Sequence, residues 1–530
     1  MKGSTIVFIA LLICLFLFAN YKTGYILSYD EARHAVQGHF LYDYLRTILS
    51  GDIMSLKTFL GYYQQRGYNI GWNALYDPPA HALAQAITFM IFGASTYTSR
   101  LATLLIICFG SFLLFFISRK ILKNVWLAIA AVFLYLLYPY AFEFSRESIP
   151  DMAAALLMVG WFYFFFYREP KYFSFVLSRR LRLRINLFDL VSAIFLTSAT
   201  LMKYQNLIFA SLFMAIYTII LFVTRWDKDF FSTLKSSGAW SIVKRYTLIV
   251  LVFLLLGGWW LKFSLIDSGM FQRVFFEGMQ RQTTGDVFFY FKELAFTTFF
   301  AVFLAVVPFV MPKSRSYFKD NWHVLLFILV TLGFATFFIS NQKIRYMIAA
   351  VPFIFIFMVQ GLSELTLLLK RFYPYAFTSL VVLLLVPFVL KDIAIMDSRV
   401  KEYGSLNSEV VDFIKSIPDP KLLVYPKGGG KRSVNYTATP DLFAFEAMTA
   451  KKDFNPKNMR QLVEIDFWDG GIENNPAAYF TWLNQTQLPT YVFVYRYEPD
   501  STLLQATTLV LPTLGYTTKN LTYFIVFQRK

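Results

Sequence analysis

Long apolar runs separated by short polar segments make up most of the chain before residue 391. A helix needs roughly 17–25 apolar residues to cross a hydrocarbon core of about 30 Å. Runs of that length predict about eleven membrane-spanning helices, near residues 4–20, 97–117, 125–142, 151–167, 187–202, 206–224, 247–265, 291–311, 322–340, 347–369 and 373–391. No small-residue cleavage site follows the first run, so we expect a retained helix there and not a signal peptide.

Basic residues mark every second connector between these runs. The positive-inside rule places such connectors in the cytoplasm. It therefore predicts a cytoplasmic N-terminus and an external location for the residues after 391, in a plasma or inner membrane. The basic connectors contain Arg119, Lys120 and Lys123; Arg168, Lys171, Arg179, Arg180, Arg182 and Arg184; Arg225, Lys228, Lys235, Lys244 and Arg245; Lys313, Arg315 and Lys319; Lys370 and Arg371.

The pattern divides the chain into two predicted domains. Residues 1–391 form the transmembrane domain, with a long first external loop at 21–82 that is expected to contain interfacial helices. An amphipathic helix continues from His81 to Phe92 and is too short to span. Residues 392–530 have a soluble composition and are expected to form a small external α/β domain. Its predicted strands are Leu422–Tyr425, Tyr491–Tyr495 and Tyr523–Phe527, and its predicted helices are Glu409–Ser416 and Asp441–Ala450. The expected fold class is mostly α.

Composition agrees with this pattern. The chain is 57% hydrophobic and 16% charged, against about 25% charged in soluble domains. The net charge of +17 first suggests a nucleic-acid partner, but residues 1–390 hold 34 basic and 18 acidic residues while residues 391–530 hold 16 and 15. Because the excess lies in loops between apolar runs, we predict a membrane and no nucleic acid. Cys14 and Cys108 both lie in apolar runs, so no disulfide is expected.

Acids and cations recur at the predicted external ends of the helices. Ionisable residues near membrane depth are costly and are treated as functional candidates. The set consists of Asp30, Glu31, Asp77, His81, Glu143, Arg146, Glu147, Asp151, Lys203, Lys343 and Arg345, with Tyr346 beside the last. A carboxylate can accept the proton of an attacking hydroxyl, and cations stabilise charge on a departing phosphate. The pattern favours a phosphate-linked substrate whose polyprenyl tail stays in lipid.

Other interpretations of these residues stay open. The Asp-Glu pair could lie in a solvated loop or cap a helix, and Lys203 or Arg345 could extend to the interface as membrane-flanking cations do. His34, His39 and His81 could bind a metal with the nearby acids; no metal site is predicted, and a divalent cation is left open as a cofactor. Alternative functions are a transporter or lipid flippase, and a scaffold without catalytic activity.

Several short motifs, in order along the chain, resemble one enzyme family. Ser28-Tyr29-Asp30-Glu31-Ala32-Arg33-His34-Ala35 is similar to the first-loop signature of the GT-C glycosyltransferases of the lipid-A aminoarabinose transferase and protein O-mannosyltransferase type. Further matches are Tyr76-Asp77-Pro78-Pro79-Ala80-His81, Phe92-Gly93-Ala94-Ser95 with Ser99-Arg100-Leu101, Ser145 to Met152, Met202-Lys203, and Lys343 to Met347 with Pro352. Residues 28–355 carry the resemblance.

The resemblance implies an inverting glycosyltransferase of the cell envelope that uses a polyprenyl-phosphate sugar donor, with a lipid, glycan or protein acceptor. It implies that Asp30 is the base or orients the acceptor, that Glu31 is its neighbour, and that Asp151 is a second acid. Lys203, Arg345, Tyr346 and Arg146 would meet the donor phosphate, and Arg33, Asp77 and His81 would contact substrate. The chain departs from the family at Asp77, where His is usual, and at Tyr204-Gln205, where Gly-Pro is common.

Overall fold

The computed structural model is mostly helical. Most of its helices lie in the region predicted to be transmembrane, and a small sheet follows. The residues that the structure describes are 27, 29–65, 77–178, 181–224, 238–262, 288–311, 315–338, 344–370, 375–399, 412–413, 416, 422–426, 445, 464–468, 481, 491–495, 502–521 and 524–529.

The described helices before residue 400 are numbered in chain order. They are α1 (Tyr29–Leu49), α2 (Leu56–Gln65), α3 (Ala80–Phe92), α4 (Thr96–Leu122), α5 (Val125–Leu136), α6 (Pro139–Arg146), α7 (Asp151–Phe166), α8 (Leu187–Met202), α9 (Gln205–Val223), α10 (Ala239–Lys262), α11 (Phe289–Val310), α12 (Arg315–Phe338), α13 (Val351–Leu369) and α14 (Ala376–Arg399). A 3-10 turn at Ile344–Tyr346 precedes α13.

Each predicted span within the described residues coincides with one of these helices, except that the span 125–142 is divided between α5 and α6. The first span, at 4–20, lies outside the described residues. Among the described residues, five helices are long and apolar enough to cross a membrane, and the bent pair of α5 and α6 raises this number to six if it is one span. The protein is therefore an integral membrane protein. The helices α7 and α8 are apolar but only 16 residues long each. Eleven spans remain a prediction.

Local sequence explains several helix boundaries. The Ser95 side chain accepts a hydrogen bond from the Thr98 amide and begins α4, and that helix ends at Lys123, which has a positive φ of 54°. Asn124 then caps α5 through the Trp126 and Leu127 amides. Pro139 occupies the first turn of α6, where its missing amide hydrogen is harmless. The chain bends by 68° between α5 and α6.

The sequence prediction gave no bounds for two elements. Residues Tyr29–Leu49, within the predicted first external loop, form the long helix α1, and α1 packs against α3. A Cβ at Gly38 of α1 would lie 2.5 Å from Gln85 Oε1 of α3, so this close approach requires glycine. The basic connector between α7 and α8 forms a hairpin of β1 (Tyr172–Ser178) and β2 (Leu181–Asn186).

The later residues contain a five-stranded mixed sheet. Its elements are β3 (Leu422–Pro426), β4 (Glu464–Trp468), β5 (Tyr491–Tyr495), α15 (Thr502–Thr513), β6 (Tyr516–Asn520) and β7 (Phe524–Arg529), and the strand order is β4-β3-β5-β7-β6. β3 runs parallel to β4 and β5, whereas β7 runs antiparallel to β5 and β6. The predicted strands are confirmed, while most of the predicted helices 409–416 and 441–450 lies outside the described residues.

The packed core of the helical region positions the ends of its helices. Trp161, Tyr135 and Phe355 are buried in one continuous apolar cluster that draws on helices from α4 to α14. The helix α7 is buried along almost its whole length and packs between α4 and α8. Because α7 begins at Asp151 and α8 ends at Met202, next to Lys203, this packing brings the two charged positions together.

Candidate functional site

Glu31 is held by a buried bidentate contact with Arg100. The Glu31 Oε1 atom accepts from Arg100 Nε at 2.8 Å and Oε2 accepts from Arg100 Nη2 at 3.0 Å. The Ser148 amide also donates to Glu31 Oε1 at 2.8 Å. Both charged side chains are almost fully buried, at 0% and 1% exposure. The carboxylate of Glu31 therefore ties three segments together: α1, α4 and the turn before α7.

Asp77 is the second carboxylate that contacts side chains of α1. Its Oδ2 atom lies 3.2 Å from Arg33 Nε and 3.6 Å from His34 Nδ1. Gln37 Nε2 donates to the same oxygen at 3.3 Å. The predicted substrate residues Arg33 and Asp77 are thus neighbours, and Asp77 fastens the start of α3 to α1.

Asp151 and Lys203 form a charged pair where α7 begins and α8 ends. Lys203 Nζ donates to Asp151 Oδ1, and the Arg345 carbonyl lies 3.5 Å from the same Nζ. The Lys203 ammonium lies 5.3 Å from the centre of the Tyr346 ring, and the Arg345 guanidinium lies 5.7 Å from it. Four predicted site residues therefore meet here, with both cations beside one aromatic face.

The turn between α6 and α7 connects the two groups of charges. Its Ser148 amide binds Glu31, and three residues later Asp151 binds Lys203. Ser148 Oγ also lies 2.6 Å from Ser99 Oγ and accepts from Gln85 Nε2 at 2.7 Å. These contacts hold in place the turn that binds Glu31 through Ser148 and leads to Asp151.

His81 faces His34 from the first turn of α3. Their ring centres are 5.3 Å apart in an edge-to-face arrangement, and His81 Nε2 lies 2.8 Å from Thr103 Oγ1. Burial, with the nearby His34 adding to it, lowers the pKa of His81 well below its ordinary value. The imidazole of His81 is therefore neutral near pH 7, which suits hydrogen bonding better than phosphate attraction.

Across the described part of the chain, no group of three or more His, Cys, Asp and Glu side chains is arranged to hold a metal ion. His34 instead lies beside Asp77, and His81 lies beside Thr103. His39 lies 3.2 Å from Asp43, one helical turn further along α1. No metal site was predicted at these histidines, and a divalent cation stays an open alternative as a cofactor.

Arg146 is the last residue of α6. Its guanidinium lies 4.5 Å from the centre of the Phe142 ring, at the end of α6. It also interacts electrostatically with Asp392 of α14, as does Glu143. Arg146 was predicted to bind the donor phosphate, and that role stays a prediction.

The structure does not describe the side chains of two predicted site residues. Asp30 is in the first turn of α1, and its side chain is not described; Lys343 lies wholly outside the described residues. No role was predicted from the sequence for Arg100, Gln37, Gln85, Ser99, Thr103 or Ser148. A charged or amide residue within an apolar helix is the signal for Arg100 and Gln85, since each requires a buried partner.

No family model and no curated protein sequence matches this chain. Solved structures do match over nearly its full length. ArnT from Cupriavidus metallidurans in the apo state is similar with a TM-score of 0.63 at 15% identity, covering 99% of this chain and 97% of that one. ArnT from the same organism bound to undecaprenyl phosphate has a TM-score of 0.61 at 14% identity, covering 99% and 98%.

An archaeal enzyme is also similar. The oligosaccharyltransferase AglB from Archaeoglobus fulgidus, in complex with an inhibitory peptide and a dolichol-phosphate, has a TM-score of 0.53 at 13% identity, covering 99% of this chain and 74% of that one. Both neighbours have the GT-C fold. Sequence identities this low support a shared fold and no more. The chain therefore has the GT-C fold, which is the fold of the enzyme family that its sequence motifs resemble.

Proposed function

We propose that the protein is a membrane glycosyltransferase that transfers a sugar from a polyprenyl-phosphate donor to an acceptor hydroxyl at the non-cytoplasmic face, with inversion. The observation that carries the proposal is the meeting of Asp151, Lys203, Arg345 and Tyr346 where α7, α8 and the turn before α13 converge. Two cations at one end of a helical bundle suit an anionic head group whose chain lies in lipid.

The proposed reaction breaks the bond between the anomeric carbon and the phosphate oxygen. The acceptor hydroxyl attacks the anomeric carbon, and Asp30 takes its proton. The electron pair of the broken bond remains on the polyprenyl phosphate, where Lys203 and Arg345 stabilise the added charge. Asp151 orients Lys203 by pairing with it. Asp77 and His81, held by α1, line the path of the acceptor.

The hydrogen bonds that Glu31 already accepts favour Asp30, and not Glu31, as the base. The Glu31 carboxylate already accepts two hydrogen bonds from Arg100 and one from the Ser148 amide. Accepting a further proton would break a buried ion pair, which is costly. We assign Glu31 to positioning, because it fixes α1 and the turn that leads to Asp151.

The neighbouring structures support the choice of donor. One ArnT structure is bound to undecaprenyl phosphate and the AglB structure contains a dolichol-phosphate. We propose that this chain also uses a polyprenyl phosphate, that residues 1–391 form the catalytic domain, and that residues 392–530 form an external domain. The helix α14 continues across the proposed boundary at residue 391 and ends at Arg399. The first strand of the sheet begins at Leu422.

The test is transfer of a radiolabelled sugar from a polyprenyl-phosphate donor by purified protein in lipid nanodiscs, with extracted envelope lipid, glycan and protein fractions as acceptors. Lys203→Ala should abolish most of the transfer. Lys120→Ala is the matched control, because this exposed lysine lies in the last turn of α4, roughly 30 Å from the first turn of the same helix. Flux of the intact donor across vesicles without transfer would support a flippase and contradict the proposal.

A further inference from the structure

The hairpin of β1 and β2 forms a separate two-stranded sheet at the end of the helical bundle opposite to the candidate site. It follows α7, which begins at Asp151, and precedes α8, which ends beside Lys203. Each of these helices has 16 residues and is therefore about 24 Å long. The hairpin joins their far ends, so a whole bundle thickness separates it from the charged pair.

The base of the hairpin is fastened to α8. The Leu187 amide donates to the Lys171 carbonyl at 2.8 Å, and the Lys171 amide donates to Asn186 Oδ1 at 3.0 Å. Asn186 Oδ1 also accepts from the Phe188 amide and caps α8. The strands therefore leave the bundle from a fixed point, where two apolar helices end.

The register of the two strands separates apolar from basic positions. Directly opposed residues in an antiparallel pair share one face, and alternate residues along a strand change face. Phe173 opposes Ile185 and Phe175 opposes Leu183, which places four apolar residues on one face. On the other face Ser174 opposes Arg184 and Val176 opposes Arg182.

An isolated hairpin of this kind needs a partner surface. Two-stranded sheets are marginal in water unless one face is packed. Among the described residues β1 and β2 form a two-stranded sheet of their own, and β2 packs against α8, which continues from it directly. An element with one apolar and one cationic face, attached where apolar helices end, matches the polarity of a membrane surface.

We propose that this hairpin lies on the membrane surface opposite to the candidate site, with its apolar face toward the acyl chains and its arginine face among anionic phospholipid head groups. The face with Arg182 and Arg184 supplies the charge complementarity, because basic segments beside a membrane bind anionic lipids. The assignment does not depend on the proposed transferase function. It would anchor the α7 and α8 pair at the end away from Asp151 and Lys203.

The test measures the depth of a spin label in the intact protein. Cys14 and Cys108 are first replaced with Ala, and a nitroxide is attached at Phe175→Cys or, as the opposite-face control, at Ser174→Cys. In nanodiscs with anionic lipid, the label at 175 should be more accessible to oxygen than to an aqueous nickel chelate, and the label at 174 should show the reverse. Equal depth at both positions would overturn the proposal, as would exclusion of both reagents from 175 in detergent and in lipid, which would mean a protein cover.

A second measurement tests the anionic lipid. The label at 175 should lie at a shallower depth in zwitterionic discs, and also in anionic discs when Arg182→Gln and Arg184→Gln are combined. The variant with Arg182→Lys and Arg184→Lys keeps the charge and should restore the depth even if the glutamine variant folds poorly. Lys519→Gln combined with Arg529→Gln, both exposed in the five-stranded sheet, is the control. The same depth of the label in anionic discs, in zwitterionic discs and in the Arg182→Gln and Arg184→Gln variant contradicts the head-group assignment.

Discussion

Arg100 clamps Glu31 with two hydrogen bonds across 69 residues of sequence, and both side chains are buried. The contact joins the first turn of α1 to the first turns of α4. It also brings the Ser148 amide onto the same carboxylate. A predicted catalytic acid therefore acts in the structure as the centre of a buried network.

Replacing Glu31 with Gln should destabilise the protein more than it alters donor binding. The change leaves the Arg100 guanidinium buried without its counter-charge, and breaking such a pair typically costs about 3–5 kcal/mol. Arg100→Gln should cost a similar amount for the same reason. The double variant should lose less than the sum, because no lone charge remains.

Thermal unfolding in detergent measures this coupling. Glu169→Gln, at an exposed acid, is the matched control and should leave the melting temperature nearly unchanged. If the two single changes simply added, the buried pair would not be the source of the stability.

Arg345→Ala should weaken donor binding by about 1.5–3 kcal/mol, the range for a hydrogen bond to a charged group, which is roughly 10- to 150-fold in Kd. The guanidinium lies beside Tyr346, and the Arg345 carbonyl faces Lys203. Arg345→Lys should recover only part of the loss, because lysine lacks the fork that binds two phosphate oxygens.

Binding of a fluorescent polyprenyl phosphate to the purified variants tests this assignment. The Arg119→Ala variant controls for a general loss of positive charge, because Arg119 lies in the last turn of α4. Full affinity in Arg345→Ala would exclude this residue from the phosphate site.

The predicted membrane topology can be tested by cysteine labelling. Thr518 is exposed on β6, in the region predicted to be external. With Cys14 and Cys108 replaced by Ala, a cysteine at 518 should react with an impermeant maleimide added to intact cells. The hairpin position Ser174→Cys should react only after the membrane is opened. The reverse pattern would place the candidate site in the cytoplasm.

The sequence predicted local features well and long-range pairings poorly. The strand at Tyr491–Tyr495 was predicted because its apolar side chains alone define a buried strand. Interfacial helices were expected in the loop 21–82, but the bounds of α1 were not predicted, because its polar and apolar residues show almost no amphipathic periodicity over Tyr29–Leu49. The hairpin was treated as a basic loop, since the arginines of β2 outweighed its alternation.

The pairing of Glu31 with Arg100 had no local signal at all. The two residues lie in separate helices, and only the packing of α1 and α4 against the turn at Ser148 brings them together. By contrast, Lys203 and Asp151 could be expected on one side of the membrane, because span counting alone assigns helix ends to faces. Their direct contact required the observed packing of α7 against α8.

Asp392 provides a prediction about pH. It is buried on α14, just beyond the predicted span 373–391. Burial raises its pKa to about 7; Arg146 opposes the rise, and Glu143 adds to it. The folded protein therefore holds this proton at pH values where the unfolded chain has lost it. Stability from this group is highest near pH 4 and falls as the pH rises to about 7.

Asp392→Asn removes that titration and should raise the melting temperature at pH 8. The advantage over the unmodified protein should shrink as the pH falls and vanish near pH 4. Asp397→Asn, at an exposed acid on the same helix, should show no such trend. A constant difference between the Asp392→Asn and unmodified proteins from pH 4 to pH 8 would contradict the raised pKa.

Asp30 separates an enzyme from a transporter or scaffold. It lies in the first turn of α1, directly before the immobilised Glu31, so the clamp on Glu31 also fixes the backbone that carries Asp30. Asparagine keeps the shape of aspartate but cannot take the proton of an acceptor hydroxyl. Asp30→Asn should therefore leave the melting temperature and donor Kd nearly unchanged while lowering the transfer rate by about 10²–10⁴-fold, the usual contribution of a general base.

The control is Asp52→Asn, directly after the turn that follows α1, which should transfer sugar at the normal rate. Single-turnover transfer of radiolabelled sugar isolates the chemical step from product release. Normal transfer by Asp30→Asn would remove this residue from the reaction. A slow rate that accompanies a lowered melting temperature would instead assign Asp30 to the same structural network as Glu31, because loss of the clamp would then explain both effects.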